Sequence, residues 1–398
     1  MTSSSLPFLA SPVPRFAATR ALCLALALAV AAPQVAAQAP VATAAARSWL
    51  LVDVSSDQVL AASEPDQKVE PASLTKLMTA YLAFTALREK RLALDHRPPV
   101  SQAAYKAIGS RMFVDPAKPA TVDELLHGMI IQSGNDASII LAEAIAGSED
   151  AFAQLMNREA QRMGLANTQF RNATGLPDPQ HYSTARDLAA LARRLIEDFP
   201  ERYAMYSQKE YTYNKIRQSN RNRLLFIDPS VDGVKTGHTD AAGYCLIASA
   251  VREQPGSGFK RRLLSVVLGT ASESARAIES QKLLNFGFQN FDAVRVLSKD
   301  EPTGSYPVWK GAEAEVKAGV AADLIVTVPR GQAKSVKAEV ERVQPLIAPV
   351  AKGQRIGTLR VRLGDQLLAE RAVLASAAVA EAGFFKRAWD TIRLWTAK

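Results

Sequence analysis

Residues 71–88, PASLTKLMTAYLAFTALR, constrain the fold more than any other stretch of this chain. A proline, a small residue and a serine ahead of an apolar run are a common opening for a helix. Leu74, Leu77, Met78, Tyr81, Leu82, Phe84 and Leu87 then recur so densely that they wrap most of its surface. A surface helix needs one apolar stripe, whereas a helix apolar nearly all round must be surrounded. The chain therefore has to build layers on several sides of this helix. Its 398 residues, 48% hydrophobic, suffice for two or three domains and a large core. Ser73 and Lys76 stand three positions apart in the same stretch and so share one helix face. That pair fits a helix cap with a solvated lysine, and it also fits a nucleophile with its base.

The flanking segments supply the layers. Residues 47–62 read as two short strands joined by the polar turn Ser55-Ser56-Asp57. Thr121-Val122-Asp123-Glu124 is a capping-box signature, and helical stretches follow at residues 136–146, 151–163 and 184–196. Residues 234–236, 244–251 and 263–269 read as strands, the last two joined by a hairpin loop at 255–258, and a helix over about 274–285 closes the unit. Strands at both ends with helices between predict an α/β domain over residues 40–291, one sheet assembled from distant segments with a helical region inserted. Residues 293–377 alternate in short runs, at 324–328, 336–340, 356–363 and 367–374, and predict a small all-β domain with a structural or spacer role.

Both termini carry address-like patterns. Arg15 and Arg20 precede an apolar run at 21–32, and small-residue cleavage signals follow at residues 35–37 and 37–39. This is the pattern of a signal peptide spanning residues 1–37, too short for a spanning helix. Cleavage after Ala37 is favoured because Pro40 would adjoin a cut after Ala39. The protein is therefore expected to be exported. Cys23 leaves with that segment, so Cys245 is the lone thiol and reads as a small core residue of a strand. At the other end, residues 382–398 place Phe384, Phe385, Ala388, Trp389, Ile392 and Trp395 on one helical arc, with Lys386, Arg387, Asp390, Arg393 and Lys398 on the rest. A helix of roughly 25 Å with a charged face does not span a bilayer. Aromatics opposite basic residues suit a membrane surface, so residues 380–398 are expected to be a peripheral anchor. The net charge is +9, but its Lys and Arg are scattered without interleaved aromatics, which argues against nucleic acid as a partner.

A serine hydroxyl needs a base before it is a useful nucleophile. The four histidines, His96, His127, His181 and His238, form no recognisable triad pattern, and no histidine or cysteine pair has metal spacing. No metal or cofactor is expected. Lysine can serve as the base if neutral, yet only about one free lysine in two or three thousand is neutral at pH 7. Burial and a second nearby cation correct this. A second S-x-x-K, Ser257–Lys260, lies in the glycine-rich hairpin loop and reads as a turn, so the spacing alone proves little. Two further motifs supply partners. Ser133-Gly134-Asn135 falls in a tight turn between helical stretches, where a hydroxyl and an amide can face one cleft. Lys235-Thr236-Gly237 opens a strand, offering a charge and a hydroxyl to a carboxylate, with a glycine that lets a substrate backbone come close.

Ser-x-x-Lys, Ser-x-Asn and Lys-Thr-Gly in this order resemble the penicillin-recognising serine acyltransferases. More narrowly, PASLTKLMTA, SGNDAS, DGVKTGHTDAAGYC and ESQKLLNFGF resemble low-molecular-mass penicillin-binding proteins that act as D-alanyl-D-alanine carboxypeptidases. The resemblance covers nearly all of the chain after residue 40. It implies a β-lactamase/transpeptidase-like catalytic domain, a β-rich domain and an amphipathic anchor, with peptidoglycan stem peptides as substrate and β-lactams as covalent inhibitors. It implies Ser73 as the acylated nucleophile, Lys76 as its base and Ser133 as a proton relay. Asn135 would bind the substrate amide, Lys235 would be the second cation, and Thr236 and Arg276 would hold the terminal carboxylate. Gly237 and His238 would line the substrate strand, with the Ser73 and His238 N–H groups as the oxyanion hole. Glu143, Glu149, Glu159, Glu197, Glu201 and Glu210 all lack the E-x-x-x-N setting of a deacylating β-lactamase glutamate, which favours a penicillin target over a lactamase. A D,D-endopeptidase shares these motifs, and an inactive wall-binding protein would not require the intact nucleophile.

Overall fold

Strand β1 (Ser48–Asp53) turns back as β2 (Gln58–Ser63). After the helical region and a small hairpin, β3 (Glu210–Tyr213) and β4 (Ile216–Ser219), the chain returns as β5 (Val231–Thr239), β6 (Gly243–Glu253) and β7 (Lys260–Thr270). The computed structural model, which describes residues 41–256, 258–299 and 301–396, joins these into one antiparallel sheet in the order β2-β1-β7-β6-β5. The expected signal segment and Ser257 of the hairpin loop lie outside the described residues. β1 and β7, two hundred residues apart in sequence, pair in register with Leu51 opposite Ser265.

Alternation along the strands fills two cores. On β7, Leu264, Val266 and Leu268 face the helical core, whereas Leu263 and Val267 face the other side, packed with Leu283 and Leu284 of the helix Glu273–Asn290. That helix runs five residues past its expected end. The helix Lys76–Arg88 lies in the first core, with every residue but Thr85, Leu87 and Arg88 buried, as its all-round apolar pattern requires. Its entry differs from a plain helix start. Residues Ala72–Thr75 form a 3-10 turn, and Ala72 sits in the left-handed region at φ +47°. A non-glycine residue holds that conformation only where its surroundings impose it. The Thr121–Glu124 capping box is present in both directions, at 3.2 and 2.7 Å.

The β domain begins with β8 (Phe291–Leu297), β9 (Pro302–Pro307) and β10 (Glu315–Gly319). It continues with β11 (Leu324–Pro329), β12 (Val336–Arg342), β13 (Arg355–Leu363) and β14 (Gln366–Ala375). β11 pairs with β8, and a second sheet runs β12-β13-β14-β10-β9 around a separate core. Of the first three strands, β9, PTGSYP, escapes a reading by alternation because it carries proline and glycine. The last helix, Phe384–Thr396, docks on this domain. Its orientation corrects one sequence expectation. Asp390, placed on the solvated arc, is buried, and its carboxylate accepts the Lys310 N–H at 2.7 Å. The polar arc faces the protein and the aromatic arc faces away, with Phe385 and Trp395 more than 85% exposed.

Candidate active site

Three elements meet at the free edge of β5. The turn Ala72–Thr75 carries Ser73, and the following helix carries Lys76. Ser133 caps a single π turn, Gly128–Gln132, in the left-handed conformation (φ +67°). Asn135 then begins the helix Asn135–Ala146. Lys235, Thr236 and Gly237 lie in the middle of β5 and not at its start, since pairing with β6 begins at Val231. The role expected of Gly237 also changes. A Cβ there would lie 3.1 Å from the Pro71 carbonyl and 3.2 Å from the Ala72 Cβ, so the glycine lets β5 pack directly on the turn that carries Ser73. Gly175 supports the same turn from the other side, where any Cβ would collide with the Ala72 carbonyl.

Lys76 Nζ lies 3.0 Å from Ser73 Oγ, 2.7 Å from Asn135 Oδ1 and 2.5 Å from the Thr174 carbonyl. The Asn135 amide orientation is set by its own N–H donated to the Ile108 carbonyl at 2.6 Å, which turns Oδ1 toward the lysine. Two of the three partners can only accept. A neutral lysine has two N–H bonds for them and one lone pair left, and the lone pair faces the only partner with a proton to give, Ser73. The Lys76 pKa is held down from 10.5 to about 7, by burial first and then by the guanidinium of Arg221, against the opposing pull of Asp136 and Glu149. Lys235 Nζ donates to Ser133 Oγ at 2.9 Å and to the Thr236 carbonyl at 3.1 Å. It too is held well below an ordinary lysine, by burial first and then by Lys76, Arg221 and Arg276. The sequence reading paired one neutral lysine with one fixed cation. The structure buries both amino groups behind hydroxyls.

A cleft of about 340 Å³ collects these groups, within the range that holds small ligands. Ser73, Ser133, Asn135, Thr236, Gly237, His238 and Arg276 all line it. The two lysines sit behind that surface, so the serine hydroxyls are their route to a ligand. Arg276 donates to the Gly237 carbonyl at 3.2 Å, and His238 stacks on Tyr244 with 4.0 Å between ring centroids. Cys245 is buried in β6 next to them, its thiol pushed up to about 11 by burial.

Sequence reasoning missed Arg221, Thr174 and Asp136. Arg221 reaches the cleft from the loop between β4 and β5, where Asn222 fixes the chain by donating to the Gly233 carbonyl at 2.9 Å. The signal was present as Asn220-Arg221-Asn222, two loop-forming side chains around a cation. The buried Asp136 carboxylate accepts the N–H groups of Met112, Phe113 and Val114, tying the loop at 110–114 to the Ser133 turn.

A sheet-and-helix domain with a Ser-Lys pair, a second Ser-Lys pair and an asparagine on one cleft defines the penicillin-recognising serine enzymes. A family model described as D-alanyl-D-alanine carboxypeptidase matches residues 33–272, and one for the penicillin-binding protein 5 C-terminal domain matches residues 291–381. The chain is 43% identical to the D-alanyl-D-alanine carboxypeptidase DacC of Escherichia coli (strain K12), over 88% of each chain. Its fold matches the crystal structure of penicillin binding protein 5 from Haemophilus influenzae with a TM-score of 0.80 at 39% identity, covering 85% of this chain and 98% of that one. It also matches penicillin-binding protein D2 from Listeria monocytogenes in the ampicillin-bound form, with a TM-score of 0.56 at 30% identity, covering 63% and 100%. The chain belongs to the D-alanyl-D-alanine carboxypeptidase family.

Proposed function

We propose that this carboxypeptidase removes the terminal D-alanine of peptidoglycan stem peptides through an acyl-enzyme on Ser73, and that β-lactams trap it there. The observation that carries this reading is the Lys76 amine, aimed at Ser73 Oγ after its two other partners take its N–H bonds. Ser73 Oγ attacks the carbonyl of the penultimate D-alanine as its proton passes to Lys76. The C–N bond then breaks, and the leaving amine gains a proton through Ser133, whose hydroxyl lies 2.9 Å from Lys235. Water attacks the ester by the reverse relay and regenerates Ser73. Thr236 and Arg276 border the end of the cleft where the terminal carboxylate would rest. Backbone N–H donors at Ser73 and His238 would stabilise the oxyanion, each worth about 3 kcal/mol in the transition state.

The reading extends to location. Residues 1–37 are proposed as a signal peptide for export to the periplasmic side of the inner membrane. The last helix is proposed to rest on that membrane, because its exposed arc holds Phe384, Phe385, Trp389, Ile392 and Trp395. Among the described residues no helix is long and apolar enough to cross a bilayer.

The test is to incubate the purified protein with penicillin, locate the adduct by peptide mass, and assay free D-alanine from a peptide ending in D-Ala-D-Ala. An adduct on Ser73 together with D-alanine release is expected. No adduct on Ser73 overturns the reading, and an adduct without release moves it to an endopeptidase.

A further inference from the structure

A second cavity, of about 390 Å³, lies between the β domain and the last helix, far in sequence from every catalytic motif. Its walls include Tyr306, Trp309, Val343, Leu346, Ile356 and Leu394, and no carboxylate lines it. Leu394 is the odd residue of its helix, an apolar side chain on the arc that docks on the protein. It points toward this cavity and not toward the exposed aromatic arc. One cation lines the cavity and a second lies against one of its walls. Arg342 lines it from the end of β12, and the Arg393 guanidinium lies 5.5 Å above the Trp309 ring. Neither forms an ion pair among the described residues. An apolar chamber with two guanidinium groups beside it that lack a carboxylate partner matches an amphiphile with an apolar tail and an anionic head.

We infer that this cavity binds one acyl chain of an anionic phospholipid, with Arg342 and Arg393 on its phosphate. The source is the membrane on which the last helix is proposed to lie, and in that respect the inference rests on the location reading above. The exposed aromatic arc gives non-specific surface adhesion, whereas the cavity recognises a single lipid by tail and charge together. The lipid would fill the space beside Leu394 and so fix the angle between helix and domain.

The test uses the full chain with Trp389→Phe and Trp395→Phe, which leaves Trp309 at the cavity and Trp49 buried in the catalytic core. The probe is a soluble short-chain phosphatidylglycerol with brominated acyl chains, below its micelle concentration, since bromine quenches tryptophan on contact. Saturable quenching is expected, tighter than with the matching phosphatidylcholine, and glycerol phosphate should not compete. Arg342→Glu, an exposed position, should weaken it about thirtyfold, the size expected for a change of two charge units beside an anionic headgroup. Absent or non-saturable quenching overturns the inference, as does quenching indifferent to Arg342→Glu. Sedimentation with phosphatidylglycerol vesicles separates it from the location reading. Vesicle binding without saturable quenching sinks the cavity alone, and quenching without vesicle binding sinks the surface anchor alone.

Discussion

Lys76 shows how the site works at the scale of one residue. In the proposed mechanism acylation requires its neutral form, and burial with Arg221 brings its pKa to about 7. Below that pH the rate constant for acylation by penicillin should fall about tenfold per pH unit, and above it the profile should flatten. Arg221→Gln removes a positive neighbour, so protonation of Lys76 becomes easier and the midpoint should move to higher pH. Stopped-flow acylation across pH 5–9 decides it, and an unmoved midpoint in that variant would show that Arg221 does not set the base. Gly237 gives a second prediction. Its missing Cβ faces the Pro71 carbonyl at 3.1 Å and Leu74 Cγ at 3.3 Å. Gly237→Ala should cost about 1–3 kcal/mol of stability by overpacking and displace the turn that bears Ser73. Acylation should slow about tenfold or more, since sub-ångström displacement of a nucleophile is expensive. Thermal melting and the acylation rate of that variant measure the two effects separately.

Legibility differed between elements for physical reasons. The three motifs are legible because each packs its chemistry into three or four adjacent residues. The buried helix Lys76–Arg88 is legible because an all-round apolar surface has one stable solution. Arg221 is not, because its approach to Lys76 depends on where a loop returns, which no local pattern encodes. Nor is Asp390, whose burial depends on an N–H of a distant turn. The junction of the two domains escaped for the same reason. Asp53 of β1 and Arg261 of β7 form an ion pair at 2.7 Å with both side chains at most 1% exposed. Thr327 of β11 donates to the same Asp53 oxygen at 2.6 Å. Arg261 also donates to the Phe291 carbonyl at 2.8 Å. In sequence these are an ordinary aspartate, arginine and threonine; only the fold makes them one buried cluster. Arg261→Met strands the Asp53 carboxylate without its cation and should cost about 3–5 kcal/mol. Thr327→Val removes one donor and should cost about 1–2 kcal/mol. Calorimetry is the measurement. Arg261→Met should split a single unfolding transition into two, because the cluster ties the catalytic sheet to the β domain, and an unsplit, unshifted transition would refute that coupling.

At the scale of the molecule, the last helix reverses the usual logic of amphipathic packing. A helix docked on a soluble domain normally turns its apolar stripe inward. Here Asp390 and Lys386 face the domain, the latter donating to the Ala312 carbonyl at 3.2 Å, while Phe384, Phe385, Trp389, Ile392 and Trp395 face out. Leaving five large apolar side chains in water makes sense only if something else covers them. The docking bonds hold the arc outward whether or not it is covered, so the surface is preformed, and the proposed membrane binding requires no refolding of the helix. Removal of residues 381–398 should therefore abolish sedimentation with anionic vesicles while acylation of Ser73 proceeds at the full-length rate, because the active site draws nothing from this helix. Trp389→Glu with Trp395→Glu should do the same without shortening the chain, since it charges the arc and leaves the Asp390 contact intact. A truncated protein that still sediments would place the adhesive surface elsewhere. A truncated protein that no longer acylates would mean that the helix also supports the catalytic domain, which its contacts with residues 310 and 312 give no route to do.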